Sequence, residues 1–233
     1  MVIDLKSCIL FENKRFAVMD KPAGVPTAGD SLEQPGSLQH ALMQAEGRMV
    51  WAVHQLDKET SGVNLFVKRK SLVQPLSDAI QQGCKEYIAV TSPLPEGTQE
   101  RFDIKEPLDY CRKEKKHKVM SGGKPAHSRV SVLLSTSKIA VLKVRLITGR
   151  THQIRAHLAH LGISILGDDR YADDRYKKAS RRQALHAWRL DADFPELQEI
   201  MPILAPLPDK LMDLVSPEDR EGLLSQLGQE LTL

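Results

Sequence analysis

The sequence predicts an α+β protein built on a mixed or mostly antiparallel sheet. Three observations point there. Apolar alternation appears at Val63, Leu65 and Val67 against Asn64, Phe66 and Lys68, and again at Leu142, Val144 and Leu146 against Lys143 and Arg145. That is the period of a strand with two unlike faces. Strand-like segments outnumber helical ones, and crossover helices do not separate them regularly, which argues against a doubly wound parallel sheet.

Taken in order, ILFENKRFAVMDK (9–21) reads as a strand, a polar turn and a second strand, followed by a Pro/Gly loop. Ser37 is placed to cap a helix over SLQHALMQAEG, with Leu38, Ala41, Leu42 and Ala45 on one face and Gly47 as its stop. A helix fits 71–82, with Ser71 as cap and Pro75 tolerated only in the first turn. YIAVT (87–91) resumes a strand, and 93–124, rich in Pro, Gly and charge, reads as short strands and loops. The strand at 139–147 runs through TGRT (148–151) into a helix over HQIRAHLAHL, with Gly162 beyond its end. SPED (216–219) supplies a cap, a first-turn proline and two acids for a last helix, amphipathic through Leu223, Leu224 and Leu227. The organisation expected is one domain over 1–215, with the helix of 216–233 packed on it or extending from it.

With 233 residues, 41% hydrophobic and 27% charged, the chain has the makeup of a soluble globular protein. No apolar run approaches the ~20 residues a spanning helix needs, and no signal-like segment opens the chain, so no membrane role is expected. Cys8, Cys84 and Cys111 are scattered and lack CxxC pairing, which argues against a disulfide framework and points to a reducing, cytoplasmic setting. The net charge is +3, but residues 217–233 carry −3 of it, leaving +6 on the rest. RKEKKHK (112–118) and RYKKASRR (175–182) concentrate the cations, which suits a phosphate backbone and equally suits solvated loops.

P-loop, GxGxxG and GxSxG patterns are absent, as is HExxH. His152, His157 and His160 fall in one helical stretch without a nearby acid or cysteine to complete a metal site. Arg155 lies beside Ile154, Leu158 and Leu161, where a partly desolvated guanidinium requires a carboxylate that composition alone does not name. In VHQLDKETSG (53–62), Asp57 ahead of Thr60, Ser61 and Gly62 has the grammar of a turn-former. Tyr87, read alone, is a core tyrosine in a strand.

Together these stretches resemble the RluA-like, large-ribosomal-subunit type of pseudouridine synthase. VHQLDKETSG and TGRTHQIRAHLAHLGISILGDDRY (148–171) carry the resemblance most specifically. FAVMDKPAGVPT (16–27), CKEYIAV (84–90), GKPAHSRV (123–130) and LHAWRL (185–190) followed by APLP (205–208) extend it in family order over roughly residues 9–215. The resemblance implies the pseudouridine synthase fold, a bent central sheet with flanking helices and a long cleft, and no metal or organic cofactor. It implies Asp57 as the essential aspartate, Arg155 as the arginine that pairs with it, and Tyr87 as the active-site tyrosine. It places His54, Gln55, Lys58, Thr60, Arg150, His152 and Gln153 toward RNA. The substrate class implied is structured ribosomal or transfer RNA, with no obligatory protein partner. The N-terminal S4-type module that many relatives carry is not expected here.

One letter departs from the pattern. The family has His-Arg-Leu-Asp where this chain has His54-Gln55-Leu56-Asp57. Gln55 keeps hydrogen-bonding capacity but lacks the charge and planar stacking surface of arginine. A working enzyme is the reading that Asp57, Tyr87 and Arg155 support. A non-catalytic RNA-binding or ribosome-assembly factor is the alternative that Gln55 supports.

Overall fold

The computed structural model describes residues 3–29 and 35–229. Its helices are α1 (Leu5–Cys8), α2 (Leu38–Glu46), α3 (Val73–Gln82), α4 (Gln153–His160), α5 (Asp174–Lys177), α6 (Asp209–Met212) and α7 (Pro217–Gln229). Its strands are β1 (Ile9–Glu12), β2 (Phe16–Lys21), β3 (Trp51–Ala52), β4 (Ser61–Val67), β5 (Cys84–Thr91) and β6 (Arg101–Ile104). They continue as β7 (Leu108–Cys111), β8 (Lys116–Val119), β9 (Ser128–Ser135), β10 (Ala140–Leu146), β11 (Leu185–Asp191) and β12 (Ile203–Leu204). The described residues of Met1–Glu86 and His186–Pro206 form one compact unit, and those of Tyr87–Leu185 and Leu207–Leu233 form a second.

In the first unit the strand order is β1-β2-β4-β11, with β3 beside β4 and β12 beside β11. β2 runs antiparallel to β4, while β11 runs parallel to it, so the sheet is mixed. Alternation sorts the side chains cleanly. Phe16, Val18, Val63, Leu65 and Val67 pack with Leu76 and Ile80 of α3, while Ala17, Met19 and Phe66 pack with Leu38 and Leu42 of α2. Both faces of β4 are therefore covered and all seven of its residues are buried. Full burial of each large apolar side chain contributes roughly 1.5–3 kcal/mol, which makes this double-sided strand the most strongly held part of the unit.

Several local expectations shift. Ser37 does cap α2, its hydroxyl accepting from the His40 N–H at 3.1 Å, and Gly47 ends the helix at φ 61°. Its buried face, however, uses Gln39 rather than Ala45, because the Gln39 amide donates to the Val50 carbonyl at 3.0 Å. Ser71 lies in a short 3-10 turn, and α3 starts at Val73 without a side-chain cap. Pro75 is its third residue, where a missing N–H costs no intrahelical bond. Gly62 is not part of a turn either. It sits in β4 at φ +112°, and a Cβ there would meet the Ala187 backbone oxygen of β11 at 2.2 Å. Only glycine permits that close strand approach.

In the second unit β10 pairs with β9 and β9 with β6, all antiparallel. β7 and β8 form a separate hairpin. Helix α4 lies against β8 and β9, and α7 lies against β9. The Ser216 hydroxyl donates to Asp219 at 2.7 Å at the start of α7, whose Leu223 and Leu227 are buried while Leu224 is 52% exposed. Leu224 thus falls outside the packed face expected of it. Among the described residues, no helix is long and apolar enough to cross a membrane.

Candidate active site

Asp57 stands at the head of a tight turn, with the Thr60 N–H donating to its carbonyl at 3.0 Å. The loop that carries it is pinned by the Pro/Gly loop after β2. Lys21 is fully buried, and its ammonium donates to the carbonyls of Val25 at 2.6 Å, Pro22 at 3.1 Å and Lys58 at 3.1 Å. The Gly24 N–H reaches the same Lys58 carbonyl at 2.9 Å. Thr27 clamps Leu56 on both sides, accepting from its N–H at 3.1 Å and donating to its carbonyl at 3.3 Å. A buried ammonium needs such acceptors; its bond to Lys58 and the Thr27 clamp on Leu56 fix irregular backbone on both sides of Asp57.

His54, three residues ahead, is held neutral. Burial, aided by the Lys85 ammonium, pushes its pKa down to about 3. Its Nε2 accepts from the Leu65 N–H at 3.3 Å, which leaves Nδ1 to carry the ring proton. The His54 carbonyl accepts from the Asn64 amide at 3.0 Å, so this histidine ties the loop to β4. Burial also pushes the Lys85 ammonium pKa down. Ser61, at the start of β4, shares a 2.8 Å hydrogen bond with Nδ1 of the buried His186 on β11. Gln55 and Lys58 are exposed on the same loop, whereas Thr60 is buried.

In the second unit the GRTHQIR run turns sharply before becoming α4. His152 precedes the helix at φ 54°, a left-handed conformation that sets the chain's entry angle, so it is not the helical residue expected. Gln153 is buried with its amide saturated. Its oxygen accepts from the Thr148 hydroxyl at 2.8 Å and the Arg150 N–H at 3.0 Å, while its nitrogen donates to the His127 carbonyl and Ser128 hydroxyl at 3.0 and 2.9 Å. That saturation ties the 148–150 turn to the start of β9 through Gln153. His157 is likewise engaged at both ring nitrogens, by Ser128 and by the Glu106 carbonyl, each at 2.9 Å. Burial lowers its pKa. His152 and His157 therefore serve separate structural partners.

Arg155 is buried, and the acid that its setting requires is Asp168. Its Nε and Nη2 donate to the two Asp168 oxygens at 2.7 and 2.8 Å, a bidentate fork. Asp168 is fully buried, and its Oδ1 also accepts from the N–H groups of Arg170 and Tyr171, both at 3.0 Å. The Tyr171 ring lies under the Arg155 guanidinium at 4.8 Å. Burial pushes the Tyr171 pKa up to about 12, so its hydroxyl stays protonated, and it shares a 3.0 Å hydrogen bond with His152 Nδ1. Asp168 and Tyr171 are partners of Arg155 that sequence reasoning did not name. Their signal was the acid pair in ILGDDRY, the nearest carboxylates along the chain to a half-buried arginine.

His54, Gln55, Asp57, Lys58 and Thr60 share one pinned loop, and Arg150, His152, Gln153 and Arg155 share the entry to α4. Tyr87 is buried on β5. Arg150 is exposed, with its Nε donating to the Pro125 carbonyl at 2.9 Å. Among the described residues, no cluster of His, Cys, Asp and Glu forms a metal site.

A family profile described as RNA pseudouridylate synthase matches residues 15–160. The uncharacterized RNA pseudouridine synthase YhcT of Bacillus subtilis (strain 168) is 32% identical over 216 residues, which is 88% of this chain and 70% of that protein. The ribosomal large subunit pseudouridine synthase C of Yersinia pestis is 32% identical over 219 residues, 90% of this chain and 68% of that protein. The solved structure titled human RNA pseudouridylate synthase domain containing 4 aligns with a TM-score of 0.71 at 25% identity, covering 91% of this chain and 92% of that one. A second human structure, domain containing 1, shares the fold at a TM-score of 0.65 and 22% identity.

Proposed function

This chain belongs to the RNA pseudouridylate synthase family, and from that premise we propose that it isomerises a uridine in structured RNA through Asp57, with Tyr87 and Arg155 as the other acting residues. The reaction cleaves the N1–C1′ bond, turns the base and joins C5 to C1′. C5 gives up its proton and N1 gains one. A stacked uridine is out of reach, so the base must be flipped out first. Asp57 then acts as nucleophile or as base, and in either role it must be ionised. Tyr87 offers a ring face to the uracil and a hydroxyl toward the C5 proton. Arg155 supplies a fixed positive charge to a carboxylate or phosphate oxygen.

The observation that carries this reading is the pinning of the Asp57 loop. The Lys21 bond to the Lys58 carbonyl and the two-sided Thr27 clamp on Leu56 hold irregular backbone on either side of that carboxylate. Such preorganisation is what placement of a nucleophile or base requires. Relatives named ribosomal large subunit pseudouridine synthase C and D support ribosomal RNA as the target. The free thiols of Cys8, Cys84 and Cys111 support the cytoplasm as the setting.

Incubating the protein with total cellular RNA and mapping pseudouridine tests the assignment. New sites with the wild type and none with Asp57→Asn are expected. No new site, or an Asp57→Asn protein that works as well as the wild type, overturns it. RNA binding that survives with neither protein forming pseudouridine decides for a non-catalytic binding factor, the reading that the exposed Gln55 favours.

A further inference from the structure

The β7–β8 hairpin is absorbed by none of the chemistry above. Residues 108–119 carry five cations against two carboxylates, a surplus equal to the +3 of the whole chain. Glu114 ties back Lys116 and Lys118. Arg112, Lys113 and Lys115 stand exposed at the turn, and no carboxylate pairs with them among the described residues.

The same hairpin presents Tyr110, 47% exposed and the one aromatic among the large exposed apolar side chains of the described residues. Tyr110 lies directly opposite His117 in the antiparallel register, so both side chains share a face, with ring centroids 5.4 Å apart. His117 in turn meets His152 at 6.0 Å, and His152 meets Tyr171 at 5.6 Å. This row of rings is anchored at its inner end. The His117 N–H donates to the Tyr171 hydroxyl, and the Lys116 ammonium sits 5.6 Å from the Tyr171 ring centroid. The hairpin is therefore held next to its turn by the residue that lies beneath Arg155. A merely solvated basic loop gains nothing from an exposed tyrosine backed by ordered rings.

We propose that this hairpin is an arm that grips a single-stranded stretch of the RNA substrate. Tyr110, backed by His117, stacks one unpaired base, and Arg112, Lys113 and Lys115 hold the phosphates beside it. A π face with unpaired cations around it fits nucleobases and phosphates together, and unpaired strands are where a base is available to stack. The inference rests on the reading of the protein as an RNA-modifying enzyme and adds to it the conformation of RNA it selects.

Fluorescence anisotropy with short labelled oligouridylate, and with its duplex on oligoadenylate, tests the arm. Tyr110→Ala is expected to weaken oligouridylate binding roughly 5- to 150-fold, the equivalent of the ~1–3 kcal/mol of one stacked base. Tyr110→Phe is expected to keep wild-type affinity, as is Leu224→Ala, an exposed apolar control on α7. Lys113→Ala is expected to lower the log–log salt slope by about 0.7, one phosphate contact on a single strand. Oligouridylate binding by Tyr110→Ala within twofold of the wild type overturns the proposal, as does an equal loss on the duplex or failure of the wild type to bind oligouridylate. Pseudouridine mapping with the wild type separates the two readings. If new sites form while Tyr110→Ala binds normally, only the arm fails. If no site forms while the Tyr110 effect holds, the arm stands and the enzymatic reading fails.

Discussion

Asp168→Ala should be among the most damaging single changes in the second unit. The Asp168 carboxylate is fully buried and accepts four hydrogen bonds, two from Arg155 and two from the N–H groups of Arg170 and Tyr171. Its removal leaves a guanidinium whose side chain is 7% exposed without its bidentate partner. Breaking a buried pair from one side costs about 3–5 kcal/mol, mostly because the remaining charge stays desolvated. Typical domain stability is about 5–15 kcal/mol, so the loss is a large share of the total. Urea unfolding should show a lower midpoint at an unchanged slope. A double-mutant cycle locates the cause. In an Arg155→Met background no charge remains to be stranded, and Asp168→Ala should then cost only the two backbone acceptors, about 1–3 kcal/mol. A single-mutant loss under about 1 kcal/mol, or equal losses in both backgrounds, refutes the claim that this acid exists to hold Arg155.

Three further outcomes are expected. Gly62→Ala should destabilise by more than about 2 kcal/mol in thermal unfolding, since the strained φ alone costs about 1–3 kcal/mol and the new Cβ meets the Ala187 backbone; an unchanged midpoint excludes that close approach. His54, depressed from 6.5 to about 3, makes the unfolded chain the stronger proton binder between those values, so its contribution is intact above pH 6.5 and is lost as pH falls toward 3. The slope should reach at most about 1.4 kcal/mol per pH unit. An NMR titration of the His54 ring with a midpoint near 6.5 contradicts this. Lys21→Met should slow pseudouridine formation about 10- to 100-fold while the protein stays folded, because the Lys58 carbonyl beside Asp57 and the Pro22 and Val25 carbonyls of the Pro/Gly loop lose their common donor and the placement of a reacting group is that sensitive to loosening. A rate within twofold of the wild type removes Lys21 from the positioning role.

Much of the architecture was legible because it depends on local signals. The strand period at 63–67, the Ser37 cap, the Gly47 and Gly162 stops and the Ser-Pro start of α7 all appear where side-chain chemistry fixes the backbone within a few residues. The failures share a cause. Ser71 has cap chemistry, but a 3-10 turn displaces the helix start beyond it. Gly62 looks like a turn glycine, but its need arises from β11, more than a hundred residues away. Full burial of β4 on both faces was hidden because Asn64 and Lys68 made its second face look polar. Asn64 instead donates to the His54 carbonyl at 3.0 Å, and the Lys68 ammonium pairs with Glu12 at 2.7 Å and Glu46 at 2.8 Å. Asp168 was invisible for the same reason. A sequence shows that a buried arginine wants an acid, but only the fold says which one arrives.

Lys21 and Arg155 solve one physical problem in two ways. Each buries a cation beside a stretch of irregular backbone, and each uses acceptors there to hold it. Lysine is a compact charge on a flexible stem, so its three donors can meet three separate carbonyls. Arginine is a planar fork, so it matches the two oxygens of one carboxylate, with its central carbon 4.8 Å from the Tyr171 ring centroid. Neither geometry accepts the other side chain. A guanidinium at position 21 would carry five in-plane donors into a pocket of convergent carbonyls. An ammonium at 155 would keep the charge but lose the second bond and the stacking face. Retention of positive charge is therefore not what these positions require. The shape of the donor set is, because that shape decides where Asp57 and Tyr171 stand.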